Sequence, residues 1–383
     1  MALHFTKEEF SLRKSKIVAE LKKQNLDALL MFKQESMYWL TGYDTFGYVF
    51  FQSLILTSKG DIVLLTRAPD LRQAQNTSII KDIRIWIDKD QSNPADELKK
   101  ILSEVGLEKS NLGVEYESYG LTGRNAIRLN NSLNNFTTLH DKSELISYLR
   151  LIKSPSEIIY VKKAAELADI AMEAAWKYAH AGINESKILA EMQGAIFNGG
   201  GDYPANNFII GSGKNALLCR YQSEKRNLDK IDQISIEWAG TYKHYHSAMF
   251  RTIPIGKINE RQKKMYLACL EALKICEKKL IAGNSVGEVF DAHAEILDGL
   301  GYKKSRMNAC GYSLGATFSP NWMDFPMIYA ANPVVLSEGM IFFMHMILMD
   351  SENQLAMNLG ETYLITKSKN ERLGKKKLDL VVG

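Results

Sequence analysis

Apolar positions recur with a helical period from Lys7 to Gln24. They then give way to a short unbroken run, Asp27-Ala-Leu-Leu-Met-Phe32, of the kind that forms a buried strand. Ser53-Leu-Ile-Leu-Thr-Ser-Lys-Gly60 and Asp61-Ile-Val-Leu-Leu-Thr66 read as two strands joined through a Lys-Gly turn. A helix is predicted over Asp96 to Val105 and a strand over Leu112 to Glu115. Strands alternating with helices make residues 1–148 an α/β domain.

The pattern changes near Leu149, where a second domain, residues 149–383, begins. Ser154-Pro155-Ser156-Glu157 is a helix start, with proline early and an acid in the first turn. A long amphipathic helix follows to about Ala179, and another runs from Asn184 to Phe197 up to three glycines at Gly199. Phe208 to Gly211 reads as a strand, Ser212 to Asn215 as a turn, and Asn259 to Ile281 and Val286 to Leu300 as helices. A turn at Gly311, an aromatic loop over Phe318 to Tyr329, and strands near Met340 to Met349 and Glu361 to Thr366 complete the chain.

Between these elements lies the stretch around which the chain is organised, Ile231 to Thr252. A strand-like run, Ile234 to Trp238, carries Glu237 among apolar and β-branched neighbours, where a carboxylate is costly unless it has a partner or a task. Ala239-Gly240 opens a turn, and a second run, Tyr245 to Ile255, has His244 and His246 at its start. The pattern is a hairpin with ionisable groups on its inner face.

Composition narrows the class. Hydrophobic content of 46% and charged content of 24% are those of a soluble globular protein. No apolar segment approaches the roughly 20 residues of a membrane span, and the N-terminus lacks a secretory pattern. The four cysteines show neither CxxC spacing nor a disulfide framework, which points to reduced thiols and a cytoplasmic protein. The net charge of +4 gathers in Lys367 to Lys377, with six Lys or Arg, and no basic stripe is studded with aromatics, so nucleic acid is not expected as a partner.

Several motifs then fall in a telling order: Leu149-Arg150-x-x-Lys153-Ser154-x-x-Glu157, Glu237-x-x-Gly240, Arg251-Thr252, Gly311-Tyr312-Ser313-Leu314-Gly315, Gly339-Met340 and Gly360-Glu361-Thr362. Together they resemble the pita-bread family of creatinase, prolidase, aminopeptidase P and methionine aminopeptidase. The resemblance implies an α+β catalytic domain behind an α/β N-terminal domain. Metal-binding members use two Asp eleven residues apart, then His, Glu and Glu. Those positions hold Glu237, Ala248, Tyr312, His345 and Glu361 here. The histidines that metallopeptidases carry before the hairpin and after the glycine turn fall on Arg220 and Ser319. Such a set is too poor in charge and ligands for a two-metal clamp, so a metal-free derivative without cofactor is expected.

Creatinase is a metal-free precedent, but its catalytic histidine falls on Arg220 and its glutamate beside Arg-Thr on Phe250. Ectoine hydrolases are similar in outline, with their catalytic glutamate at Glu237. Both substrates pair a carbon flanked by nitrogens, an amidinium or guanidinium, with a carboxylate. The resemblance therefore implies hydrolysis of a C–N bond in a small zwitterion. Glu237 would be nucleophile or base, His345 the proton donor, and Glu361 and Tyr312 the groups that hold or orient the cation. Arg220 can pair with a substrate carboxylate, Trp322 and Phe325 can wall the cation, and His246 and Tyr245 can bind substrate from the hairpin. The bland readings are a salt bridge from Glu237 to Arg251 or Arg220, and a core histidine at His345. Creatinase-like dimers further imply a homodimer in which Tyr43 to Tyr48 of one copy covers the other's site. Two other classes stay open: a metallo-enzyme, either an Xaa-Pro peptidase or a lyase of an osmolyte such as dimethylsulfoniopropionate, and a non-catalytic binder.

Overall fold

The computed structural model describes residues 3–383, and the chain divides into two units between Arg150 and Leu151. In the first unit six strands, β1 (Ala28–Met31), β2 (Ser53–Thr57), β3 (Ile62–Arg67), β4 (Asp82–Trp86), β5 (Asn111–Val114) and β6 (Thr138–Asp141), form one sheet in the order β4-β3-β2-β1-β5-β6. The sheet is mixed, because β1 pairs antiparallel with β2 and parallel with β5. The unbroken apolar run of β1 has its reason here, since helices cover both faces. Leu29 and Met31 join Ile17 and Leu21 of the helix Lys7–Lys23, whereas Ala28 and Leu30 pack with Leu98 and Leu102 of the helix Pro94–Glu104. Just beyond β5, the buried Glu115 accepts hydrogen bonds from Phe32 N, Lys33 N and Ser36 Oγ, and so ties β5 to the start of the helix Gln34–Thr41. Burial pushes this carboxyl up to about 6 against the pull of those bonds.

The second unit is built on one sheet of eight strands: β7 (Ile209–Ser212), β8 (Asp232–Tyr242), β9 (Tyr245–Ile255), β10 (Ala309–Ser313), β11 (Asp324–Tyr329), β12 (Ile341–Asp350), β13 (Leu355–Ile365) and β14 (Asn370–Arg372). Their order is β11-β10-β12-β13-β9-β8-β7, with β14 on β13. Ser154 and Glu157 close a reciprocal capping box at the start of the long helix Pro155–Tyr178, which lies against the β8–β9 hairpin. Trp238 Nε1 donates to Ala168 O at 3.0 Å, and a Cβ at Gly240 would lie 2.0 Å from Ala164 O, so only glycine admits this approach. On β12, Phe342, Met344, Met346 and Leu348 pack against the helices Glu260–Lys279 and Val286–Gly299. The alternation of a strand therefore turns Phe343, His345 and Ile347 to the opposite face.

Part of the stretch expected as an aromatic loop is strand β11. Its Pro326 fits because β11 is an edge strand, where a missing N–H breaks no ladder, and its register against β10 shifts between Ala309 and Ser313. Among the described residues no helix is long and apolar enough to cross a membrane.

Candidate active site

In the β8–β9 register Glu237 faces Phe250, and on its other side it pairs with Ile209 of β7. Beside it lies a cavity of about 180 Å³. Its polar lining consists of Glu237, His345, Arg220 and Asn206, and Tyr312, Trp322 and Phe250 form the aromatic part. Met307, Met323, Met327 and Cys219 add four sulfurs. Five of the nine side chains expected at the site, Glu237, His345, Tyr312, Arg220 and Trp322, are thus brought together.

These groups form a directed chain. Trp322 Nε1 donates to Tyr312 Oη at 2.8 Å, and Tyr312 Oη–H donates to Glu237 Oε1 at 3.0 Å. With its own proton committed to Glu237, the phenol is held well above its ordinary range by burial and by that carboxylate. Burial pushes Glu237 up to about 7, opposed by the Tyr312 hydrogen bond and the charge of Arg220. Glu237 is therefore the side chain that gains and loses a proton near neutrality. Burial, with the charge of Arg220 acting in the same direction, brings His345 down to about 4, so its imidazole is neutral at pH 7. His345 Nδ1 is buried without a hydrogen-bond partner among the described residues. A neutral imidazole carries no acid proton at pH 7, whereas Glu237 can hold one near neutrality.

The other four expected residues lie elsewhere. Glu361 is buried in an ion pair with Arg251, whose Nη1 also donates to Gly360 O at 2.7 Å and Phe250 O at 2.8 Å. Of the two salt-bridge partners foreseen for Glu237, Arg251 is thus taken by Glu361, and the pair pins β9 to β13. Tyr245 Oη donates to Glu157 Oε1 at 2.7 Å and braces the capping box. His246 Nε2 accepts from Ala205 N at 2.9 Å and its Nδ1 meets Thr317 Oγ1 at 3.1 Å, so it ties two segments that carry cavity residues without lining the cavity. Burial keeps it neutral, down to about 3. Phe325, on β11, is not part of the cavity wall.

Sequence reasoning passed over Cys219, Asn206 and the three methionines. Cys219 and Arg220 are the central pair of a turn closed by Tyr221 N to Leu218 O at 3.2 Å. That segment is anchored by the buried Glu185, which accepts from Ser212 N and Oγ, Ser223 Oγ and Glu224 N. The available signal was Glu185 itself, an acid at the start of a helix, but its partners lie some thirty to forty positions on and carry no periodicity.

The two-unit architecture and this site define the class. Residues 160–367 match the model of metallopeptidase family M24 and residues 13–152 that of the creatinase/prolidase N-terminal domain, so the chain belongs to family M24, with the pita-bread fold. Among curated proteins it is 26% identical to an ectoine hydrolase of Halomonas elongata over 97% of each chain. It is 25% identical to an Xaa-Pro dipeptidase of Pyrococcus horikoshii over 96% of this chain and 97% of that one. The crystal structure of a prolidase from Thermococcus sibiricus superimposes with a TM-score of 0.88 at 22% identity, covering 98% and 99% of the two chains.

The family's metal pair does not fit the residues present. Ala248 offers no donor, Tyr312 spends its hydroxyl on Glu237, and Glu361 is paired with Arg251. No group of three or more His, Cys, Asp or Glu among the described residues is arranged to hold an ion.

Proposed function

We propose that this chain hydrolyses a C–N bond of a small zwitterion bearing an amidinium or guanidinium, with a cyclic amidine such as ectoine or 5-hydroxyectoine first and creatine second. The observation that carries the reading is the single titratable carboxylate, Glu237, hydrogen-bonded by Tyr312 at the wall of a cavity of about 180 Å³. That volume is below the ~300–1,000 Å³ of drug-sized pockets and suits a compact molecule. The similarity to the ectoine hydrolase supports the substrate class.

A buried carboxylate gains most from a cation that is itself leaving water, and the Tyr312 donor orients it for that partner. Binding of the amidinium favours ionised Glu237, which then accepts a proton as a nucleophile adds and returns it to the leaving nitrogen. Trp322 and Phe250 supply apolar walls, neutral His345 accepts an N–H of the substrate, and exposed Arg220 at the rim pairs with its carboxylate. We also infer a homodimer in which the segment Tyr43 to Tyr48 covers the partner's site, supported by the exposure of 71% at Phe46 within it. A monomer in sedimentation at micromolar concentration would exclude it.

The test is chelator-dialysed protein incubated with ectoine, 5-hydroxyectoine, creatine and an Xaa-Pro dipeptide, with products read by mass. A product heavier by one water from a cyclic amidine, or urea from creatine, supports the reading. Cleavage of the dipeptide alone, restored by Mn²⁺ or Co²⁺, would replace it with the peptidase activity named for the Pyrococcus horikoshii relative.

A further inference from the structure

Cys219 is the chemically reactive group of the cavity that the reading above leaves idle. The other three cysteines are fully buried, whereas Cys219 is half-buried and lines the cavity. Its turn is held in place from both ends, by the Glu185 anchor and by Ile210 N donating to Tyr221 O at 3.1 Å. Two side chains more than nine-tenths buried share the cavity with it. Glu237 has an Oε2 that receives no hydrogen bond, and His345 has an Nδ1 without a partner, both among the described residues. Thiol, carboxylate and neutral imidazole thus line one small space.

We propose that Cys219 is the nucleophile, its Sγ adding to the amidinium carbon of a substrate held by Glu237. This rests on the amidine reading of the cavity. In the free protein the thiol is pushed up, by burial first and by Glu237 second, with Arg220 opposing, so it is protonated and inert. A cation bound between thiol and carboxylate reverses the second cause, which makes nucleophile activation depend on the right substrate charge.

The Sγ–C bond forms as the thiol proton passes to Glu237 and the C–N π pair moves to nitrogen. Glu237 returns that proton to the leaving nitrogen, the C–N bond breaks, and a cationic thioimidate remains on Cys219. Water adds to the same carbon and gives one proton to Glu237, which passes it to the released amine. Collapse of the adduct breaks the S–C bond, and the thiolate recovers the last proton as the amide forms. One water is consumed.

The experiment treats the full chain with 2-chloroacetamidine and with neutral 2-chloroacetamide, each rate divided by that for glutathione. Adducts are located by intact mass and peptide mapping. The expected result is one adduct at Cys219, an amidine preference of about tenfold or more for one charge-assisted contact, and loss of the preference in Glu237→Gln. Equal normalised rates, or a preference unchanged in Glu237→Gln, would overturn the proposal. Cys219→Ala and Cys219→Ser are expected to lose turnover of any amidine substrate by about a thousandfold or more. If Cys219→Ala keeps the wild-type rate, the thiol is only wall and the function proposed above stands. If the wild type turns over no amidine yet shows the alkylation preference, the thiol site stands and that function fails.

Discussion

Replacing Tyr312 by phenylalanine tests the central electrostatic claim. The Tyr312 hydroxyl donates to Glu237 at 3.0 Å and is one of the two influences that hold this carboxyl down against burial. A hydrogen bond to a charged group contributes roughly 1.5–3 kcal/mol. At 1.36 kcal/mol per pKa unit, its loss raises Glu237 by about one to two units. Starting from about 7, the variant's carboxyl would titrate at roughly 8–9. If the free enzyme needs ionised Glu237 to capture a cation, kcat/KM rises with pH up to that value and is level above it. At pH 7.5 the Tyr312→Phe protein then falls about three- to twenty-fivefold below wild type from protonation alone, and the two curves converge above about pH 9.5.

The assay is the pH profile of kcat/KM, with the carboxylic C=O infrared band followed as a readout independent of turnover. A limb that stays near 7 or moves down in Tyr312→Phe would refute the argument. The substitution also strips Trp322 Nε1 of its acceptor, at a stability cost of about 1–3 kcal/mol. Adding Trp322→Phe to Tyr312→Phe should recover part of that loss while leaving the raised pKa of Glu237 in place.

Glu361→Gln strands the buried Arg251 and should cost about 3–5 kcal/mol in urea unfolding; a variant as stable as wild type but inactive would instead make Glu361 catalytic. Glu115 titrates at about 6 in the folded protein against an ordinary 4.5, so the folded state binds the proton more tightly. Its contribution is present below about pH 4.5 and lost as pH rises through 6, about 2 kcal/mol in all. Glu115→Gln should flatten that part of the stability profile, and an unchanged slope would count against it. Millimolar Mn²⁺ or Co²⁺ should leave thermal unfolding unmoved; a 10 μM site would stabilise by about 2.7 kcal/mol, a shift that scanning calorimetry would detect.

What could be read from the chain and what could not divide along physical lines. Glu237 was conspicuous because a charge inside an alternating apolar run violates the local pattern, and the strand that exposes the violation is a local object. The partners of such charges are not local. Arg251 reaches Glu361 across a β9–β13 pairing of only two registered residues, while Glu237 sits directly opposite Phe250, one residue before that arginine. A sequence with two acids and two arginines near one site does not say which meets which. Tyr245 reads as a site residue until the helix start 88 positions earlier is seen to claim its hydroxyl. Cys219 lies in a turn without periodicity, and its place in the cavity depends on anchors at Glu185 and Ile210 rather than on its neighbours in the chain.

The departures from the family's ligand set make chemical sense only together. Ala248 stands where the family's pattern has an Asp, which removes a charge, and Arg251 pairs with Glu361, so of the carboxylates at ligand positions only Glu237 is left outside an ion pair. A phenol in place of a ligand imidazole would be of little use to a divalent ion, but as a donor it serves a lone carboxylate that must not remain protonated in a low-dielectric site. Trp322 completes the logic, since its N–H occupies the phenol's acceptor side and leaves the phenolic proton for Glu237. The family's cage for two divalent ions would need an Asp at position 248, a His at 312 and a Glu at 345. The arrangement that stands is one carboxylate near neutrality beside a neutral imidazole, and the proposed capture of a single positive charge rests on that pairing.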